Sequence, residues 1–199
     1  MLKPLSLAVA ALLVTACTGA DQGASSQDTS AGLADFLPAA PGSGLPSQVE
    51  TQQVLDIDTA STAVPTPADA TKAELLNLRY KAGYGRIWGT STDYVTMLAL
   101  AFPSPDGAAG FAAFERQGLT GAQNTFVTSH ADIPGSFVFV ISSPTQASGN
   151  ENSEICNGVW FAYHANAYES LACGTLPNWA TQIEQAAKNL YQRVRLKAG

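Results

Sequence analysis

Histidine and cysteine are scarce in this chain of 199 residues, with two of the first and three of the second. His130 and His164 are the only side chains whose ordinary titration falls near neutral pH, so acid–base catalysis has little to draw on. There is no Cys-x-x-Cys pair, which removes the common redox and zinc spacings. No Gly-x-Ser-x-Gly elbow marks a serine hydrolase. No Gly-x-x-x-x-Gly-Lys loop or Gly-x-Gly-x-x-Gly turn offers a phosphate cradle, so neither cofactor nor metal is expected. Charged residues make up 13% of the chain, with a net charge of -6 and a pI near 4.7. No basic cluster interrupts that acidity, which argues against nucleic acid as a partner. Long apolar runs are missing too. The longest, residues 5–14, is too short for a hydrocarbon layer that takes about 20 residues.

That run consists of Leu, Ala and Val broken only by Ser6, and it follows a single basic residue, Lys3. This is the pattern of a signal-peptide core, not of a permanent membrane helix. Its boundary, Val14-Thr15-Ala16-Cys17, resembles the lipobox of bacterial lipoproteins. The resemblance implies removal of residues 1–16, acylation of Cys17 (palmitate included) and attachment to the cell membrane on its extracytoplasmic side. Each buried methylene contributes about 0.8 kcal/mol, so two or more chains hold without help from a polybasic patch. The alternative is an ordinary signal peptide followed by an incidental cysteine.

Residues 17–32 carry no large apolar side chain beyond the cysteine and read as a flexible linker spanning about 20 Å. Residues 33–65 mix apolar pairs with Pro38, Pro41, Pro46 and Pro65, and read as an extended arm with a short strand over 53–57. Periodicity becomes regular over 66–199. Thr66-Pro67-Ala68-Asp69 fits a capping box, with Ala73, Leu76 and Tyr80 recurring at helical spacing up to Gly83. Residues 84–89 and 94–102 predict a hairpin, and Ser104-Pro105-Asp106 opens a second helix that Gly118 would end. A polar loop leads to a strand over 136–142. After a breaker run, 143–153, a last hairpin spans 155–163 and 167–173. Pro177 opens a final helix carrying Trp179, Ile183, Ala186, Leu190 and Val194 on one face. This order predicts one α+β domain, an antiparallel sheet of about five or six strands packed with three helices. The pieces Gly83-Tyr84-Gly85-Arg86-Ile87-Trp88 and Pro105-Asp106-Gly107-Ala108-Ala109 resemble small envelope lipoproteins of high-GC Gram-positive bacteria, a group without an assigned activity.

With Cys17 acylated, Cys156 and Cys173 remain, and an even pair outside the cytoplasm predicts a disulfide. A tight turn centred on His164-Ala165 would set Tyr163 opposite Asn166, Phe161 opposite Tyr168 and Cys156 opposite Cys173, within bridging reach. His130 lies two residues from Asp132 and next to Ser129, which admits either a hydrolase site or an idle surface loop. Sixteen acidic residues always permit some carboxylate pair, so their number alone predicts no glycosidase. Trp88, Trp160, Tyr163 and Tyr168 form a candidate ligand surface able to stack a sugar or line a lipid pocket. The same residues are also what antiparallel cores are built from. Three function classes follow: a non-catalytic envelope module binding a glycan, lipid or envelope protein; a lipid carrier with an apolar cavity; and a hydrolase using His130.

Overall fold

The structure, a computed structural model, describes residues 26–48, 50–144, 153–174 and 179–198. The signal segment, Cys17 and Pro177 lie outside the described residues. The elements run α1 (Ser26–Ala34), β1 (Glu50–Leu55), α2 (Ile57–Thr62), α3 (Ala68–Asn77), β2 (Ala82–Gly89), β3 (Tyr94–Ala101), α4 (Pro105–Thr120), β4 (Thr125–Ser129), β5 (Phe137–Pro144), β6 (Ser153–Tyr163), β7 (Asn166–Gly174) and α5 (Trp179–Ala198). All seven strands join one antiparallel sheet in the order β1-β2-β3-β7-β6-β5-β4.

Helices cover both faces of this sheet. Along β3, Val95, Met97 and Ala99 point into one core with Leu33 and Leu37 near α1 and Trp179, Ile183 and Leu190 of α5. Leu98 and Leu100 point into the opposite core, with Leu75 of α3 and Ala108 and Phe111 of α4. Burial on both sides explains why β3 reads as an apolar run interrupted only by Thr96 and not as an alternation.

The α+β class is as expected, but the described residues hold seven strands and five helices. The additional strand is β4, within the stretch expected as a polar loop. It is an edge strand, and edge strands keep polar outward residues that resemble loop composition. Its largest apolar side chain, Phe126, is 66% exposed. Helix α1 begins inside the stretch expected as linker. Docking, not helix propensity, accounts for it: Ser30 and Leu33 are buried, and Arg193 and Lys197 of α5 donate to the Asp35 carbonyl at 3.0 and 2.7 Å. Strand β1 begins three residues before the short strand expected over 53–57, and α2 follows it, capped by Asp56, whose carboxylate accepts from the Thr59 N–H at 2.8 Å.

In α3 the inward face carries Thr71 and Leu75, while Leu76 is exposed, so the expected stripe is out of phase. The capping box is absent as well, because the Thr66 hydroxyl donates instead to Glu115 of α4 at 2.6 Å. Ser104 caps α4 as its sequence suggests, accepting from the Gly107 N–H at 3.2 Å. Gly118 does not end that helix. It lies inside α4, where a Cβ would come within 2.7 Å of the Thr66 methyl, so the glycine permits close approach. The last hairpin has the register counted from its turn, with Cys156 opposite Cys173 and the disulfide formed across a Cα separation of 4.0 Å.

Candidate functional site

The loop after β4 disperses the groups that a His130 hydrolase would need. His130 Nδ1 accepts the Asp132 backbone N–H at 3.0 Å, which leaves Nε2 as the protonated nitrogen of the neutral ring. Nε2 lies 3.9 Å from the Glu184 carboxylate of α5. The Asp132 carboxylate pairs with Lys188 at 2.5 Å, and that hydrogen bond and charge hold it below the usual carboxylate range. Ser129 Oγ accepts from Arg116 at 3.1 Å. The Asp132 carboxylate and the Ser129 hydroxyl thus turn to partners other than the His130 ring, and the loop is fastened to α5 by the Lys188–Asp132 ion pair and the buried Ile133. His164 sits at the exposed hairpin turn with φ of +50°, its ring against Tyr163.

The aromatic candidates divide between the two faces. Trp160 is fully buried against Phe111 of α4, with ring centroids 5.7 Å apart. Trp88 and Tyr168, 1% and 0% exposed, lie in the opposite core, where Tyr168 stacks on Phe161 at 5.0 Å. The open-sheet ligand surface is corrected accordingly: helices cover both faces, and these three side chains are core. Only Tyr163 keeps partial exposure, packed edge-on to Tyr191 of α5.

An open recess of about 340 Å³ lies at the end of the β2–β3 hairpin. Leu45, Pro46 and Trp179 supply its apolar lining, and Gln48, Thr90 and Asp93 its polar groups. The turn beside it is held by its own hydrogen bonds. The Thr90 N–H donates to the Asp93 carbonyl at 2.8 Å, and the Asp93 N–H donates to Thr90 Oγ1 at 3.1 Å. A recess of this size is at the small end of ligand sites, and its mixed lining suits a sugar-sized molecule. Trp179 was expected as a core residue of α5, and nothing in the chain near Leu45 signals that the two meet. Elsewhere, Glu154, Cys156 and Cys173 cluster closely enough to suggest metal ligands, but both sulfurs are joined in the disulfide.

The most unusual chemistry is internal. Glu169 of β7 is completely buried, between Trp160 of β6 and Leu98 of β3 in one row across the sheet. Neither of its carboxyl oxygens has a hydrogen-bond partner. Glu115 of α4, one turn beyond Phe111, is buried on the same side. Burial pushes Glu115 up to about 7, against hydrogen bonds from the Thr66 side chain and backbone that favour its charge. Burial also pushes Glu169 well above the usual carboxylate range, and the Glu115 charge adds to it. The Trp160 indole N–H is near enough to favour the charged form of Glu169, but it makes no well-formed hydrogen bond. The sequence did hold a signal for Glu169: strand alternation puts it on the same face of β7 as Leu171 and Cys173.

No protein-family model and no curated protein matches the chain. Among solved structures, the extracellular domain of PknH from Mycobacterium tuberculosis is similar over 76% of this chain and 81% of that chain, at 19% identity and a TM-score of 0.47.

Proposed function

We propose that this chain is a lipid-tethered, extracytoplasmic binding module of the cell envelope, without catalytic activity of its own. The recess beside Trp179 carries the reading, because it is open and combines an apolar lining with fixed polar groups. Two further features support it. The residues before Cys17 fit lipoprotein export, and a disulfide between Cys156 and Cys173 is stable in an oxidising compartment. No helix among the described residues is long and apolar enough to cross a membrane. The hydrolase alternative loses support from the dispersed partners of His130.

The test compares the full chain with Ser47→Trp, a change at the exposed rim that would fill the recess. Both are captured from their own membranes, and the eluates are analysed for glycan, lipid and protein. A glycan or envelope component enriched by the wild type and lost in the variant, with melting temperature unchanged, is expected. Equal enrichment by both overturns the recess. Acyl lipid as the enriched species favours the carrier instead.

A further inference from the structure

We propose that Glu115 and Glu169 form a buried proton-binding site beneath α4, and that the protons held there keep α4 docked on the sheet. The geometry begins with the register. Phe137, Trp160, Glu169 and Leu98 lie side by side on β5, β6, β7 and β3, all on the face that α4 covers. Phe111 of α4 packs against Trp160, and Glu115, four residues on, continues the same helix face toward that row.

Glu169 therefore sits on the central strand of the sheet under a helix, fully buried, with both oxygens unpartnered. One oxygen of Glu115 is also unpartnered. A pair of ionised carboxylates in so dry a place needs a cation or several donors, since burying an uncompensated charge is very unfavourable. The neighbouring groups supply neither. From α4 the only cation nearby in sequence is Arg116, an exposed residue whose guanidinium donates to Ser129 and lies over the Phe137 ring. From β3 the titratable group is Tyr94, and from β6 it is Glu154; neither is a cation. Thr66, just before α3, donates its hydroxyl to Glu115, and Thr71 bonds Thr66 and the Pro67 carbonyl; neither hydroxyl is bonded to Glu169. A neutral carboxyl removes the charge and supplies a donor of its own, which makes the protonated site the compatible one.

The direction with pH follows. Both acids are raised in the folded protein above their unfolded value of 4.5. The stability they contribute is thus complete below that value, and it falls as pH rises through the raised value of each acid, about 7 for Glu115. The helix loosened by alkali is α4, which covers β4, β6 and β7.

The experiment measures melting temperature from pH 5.5 to 8.5, and amide exchange of α4 relative to α5, on the full chain in detergent. The wild type should melt at least about 5 °C lower at pH 8.5, with α4 losing protection before α5. Glu169→Gln should flatten the curve and melt above the wild type at pH 8.5 but not at pH 5.5. Glu115→Gln should flatten it less. Curves parallel to the wild type in both variants overturn the proposal. So does failure of both variants to fold at pH 5.5, where the amide and the protonated acid carry the same charge.

Discussion

At the scale of single residues, Thr66 has a role its position before a helix conceals. It reads as a helix cap, yet its hydroxyl reaches α4, 49 residues away, and donates to a buried carboxyl. The choice is energetic. A helix N-terminus facing water can be hydrated, whereas an unpartnered oxygen in the core cannot. Replacing Thr66 with alanine removes a donor that favours the charged form of Glu115, so the acid should rise further and the fold should suffer most where Glu115 is charged. The expected loss is about 1–3 kcal/mol at pH 8 and less at pH 5, read from urea unfolding at both pH values. An equal loss at both would mean that packing of the Thr66 methyl, and not the hydrogen bond, was removed. Glu115 itself was not legible: a glutamate in an amphipathic helix looks like surface, and only the path of α4 over β6 and β7 buries it.

At the scale of elements, the β6–β7 hairpin was the most legible part of the chain. The positions of the turn and of the cysteines determine one another, because a shift of one residue in the turn moves each pairing by two. Cys173→Ser should therefore destabilise the protein by about 3 kcal/mol, the chain-entropy value for a loop of this length, seen as a lower melting temperature of the oxidised protein. A melting temperature unchanged by the substitution would show that the strand pair holds without the bridge. Gly158 in β6 illustrates what such counting leaves out. The Phe139 ring of β5 occupies the space that a side chain at Gly158 would need, so the glycine is a packing residue and not a bulge. Two of the three elements that sequence reading missed, α1 and β4, share a reason. Each has little apolar surface of its own, and each exists because an established neighbour supplies the other half: Tyr84 and its core for α1, and the β5 ladder for β4.

For the whole molecule, the anchor and the folded domain are separate problems. If Cys17 carries the lipid, Cys17→Ser should leave the domain's melting behaviour unchanged and move the protein from the membrane fraction to the soluble or secreted fraction, or leave the signal segment uncleaved. Mass spectrometry of the wild-type N-terminus should show an acylated cysteine. An unmodified mature terminus at another residue would refute the anchor. Acidity, the α+β class, the disulfide pairing and the last helix could all be read from the chain, because each depends on local composition, short-range periodicity or a count along one hairpin. The joining of β3 to β7, the closure of both sheet faces, the burial of Trp88, Trp160 and Tyr168, and the burial of both Glu115 and Glu169 depended on tertiary structure. Those features arise between segments distant in sequence, where burial is set by which element covers which, and the same aromatic or acidic residue is surface or core according to its cover.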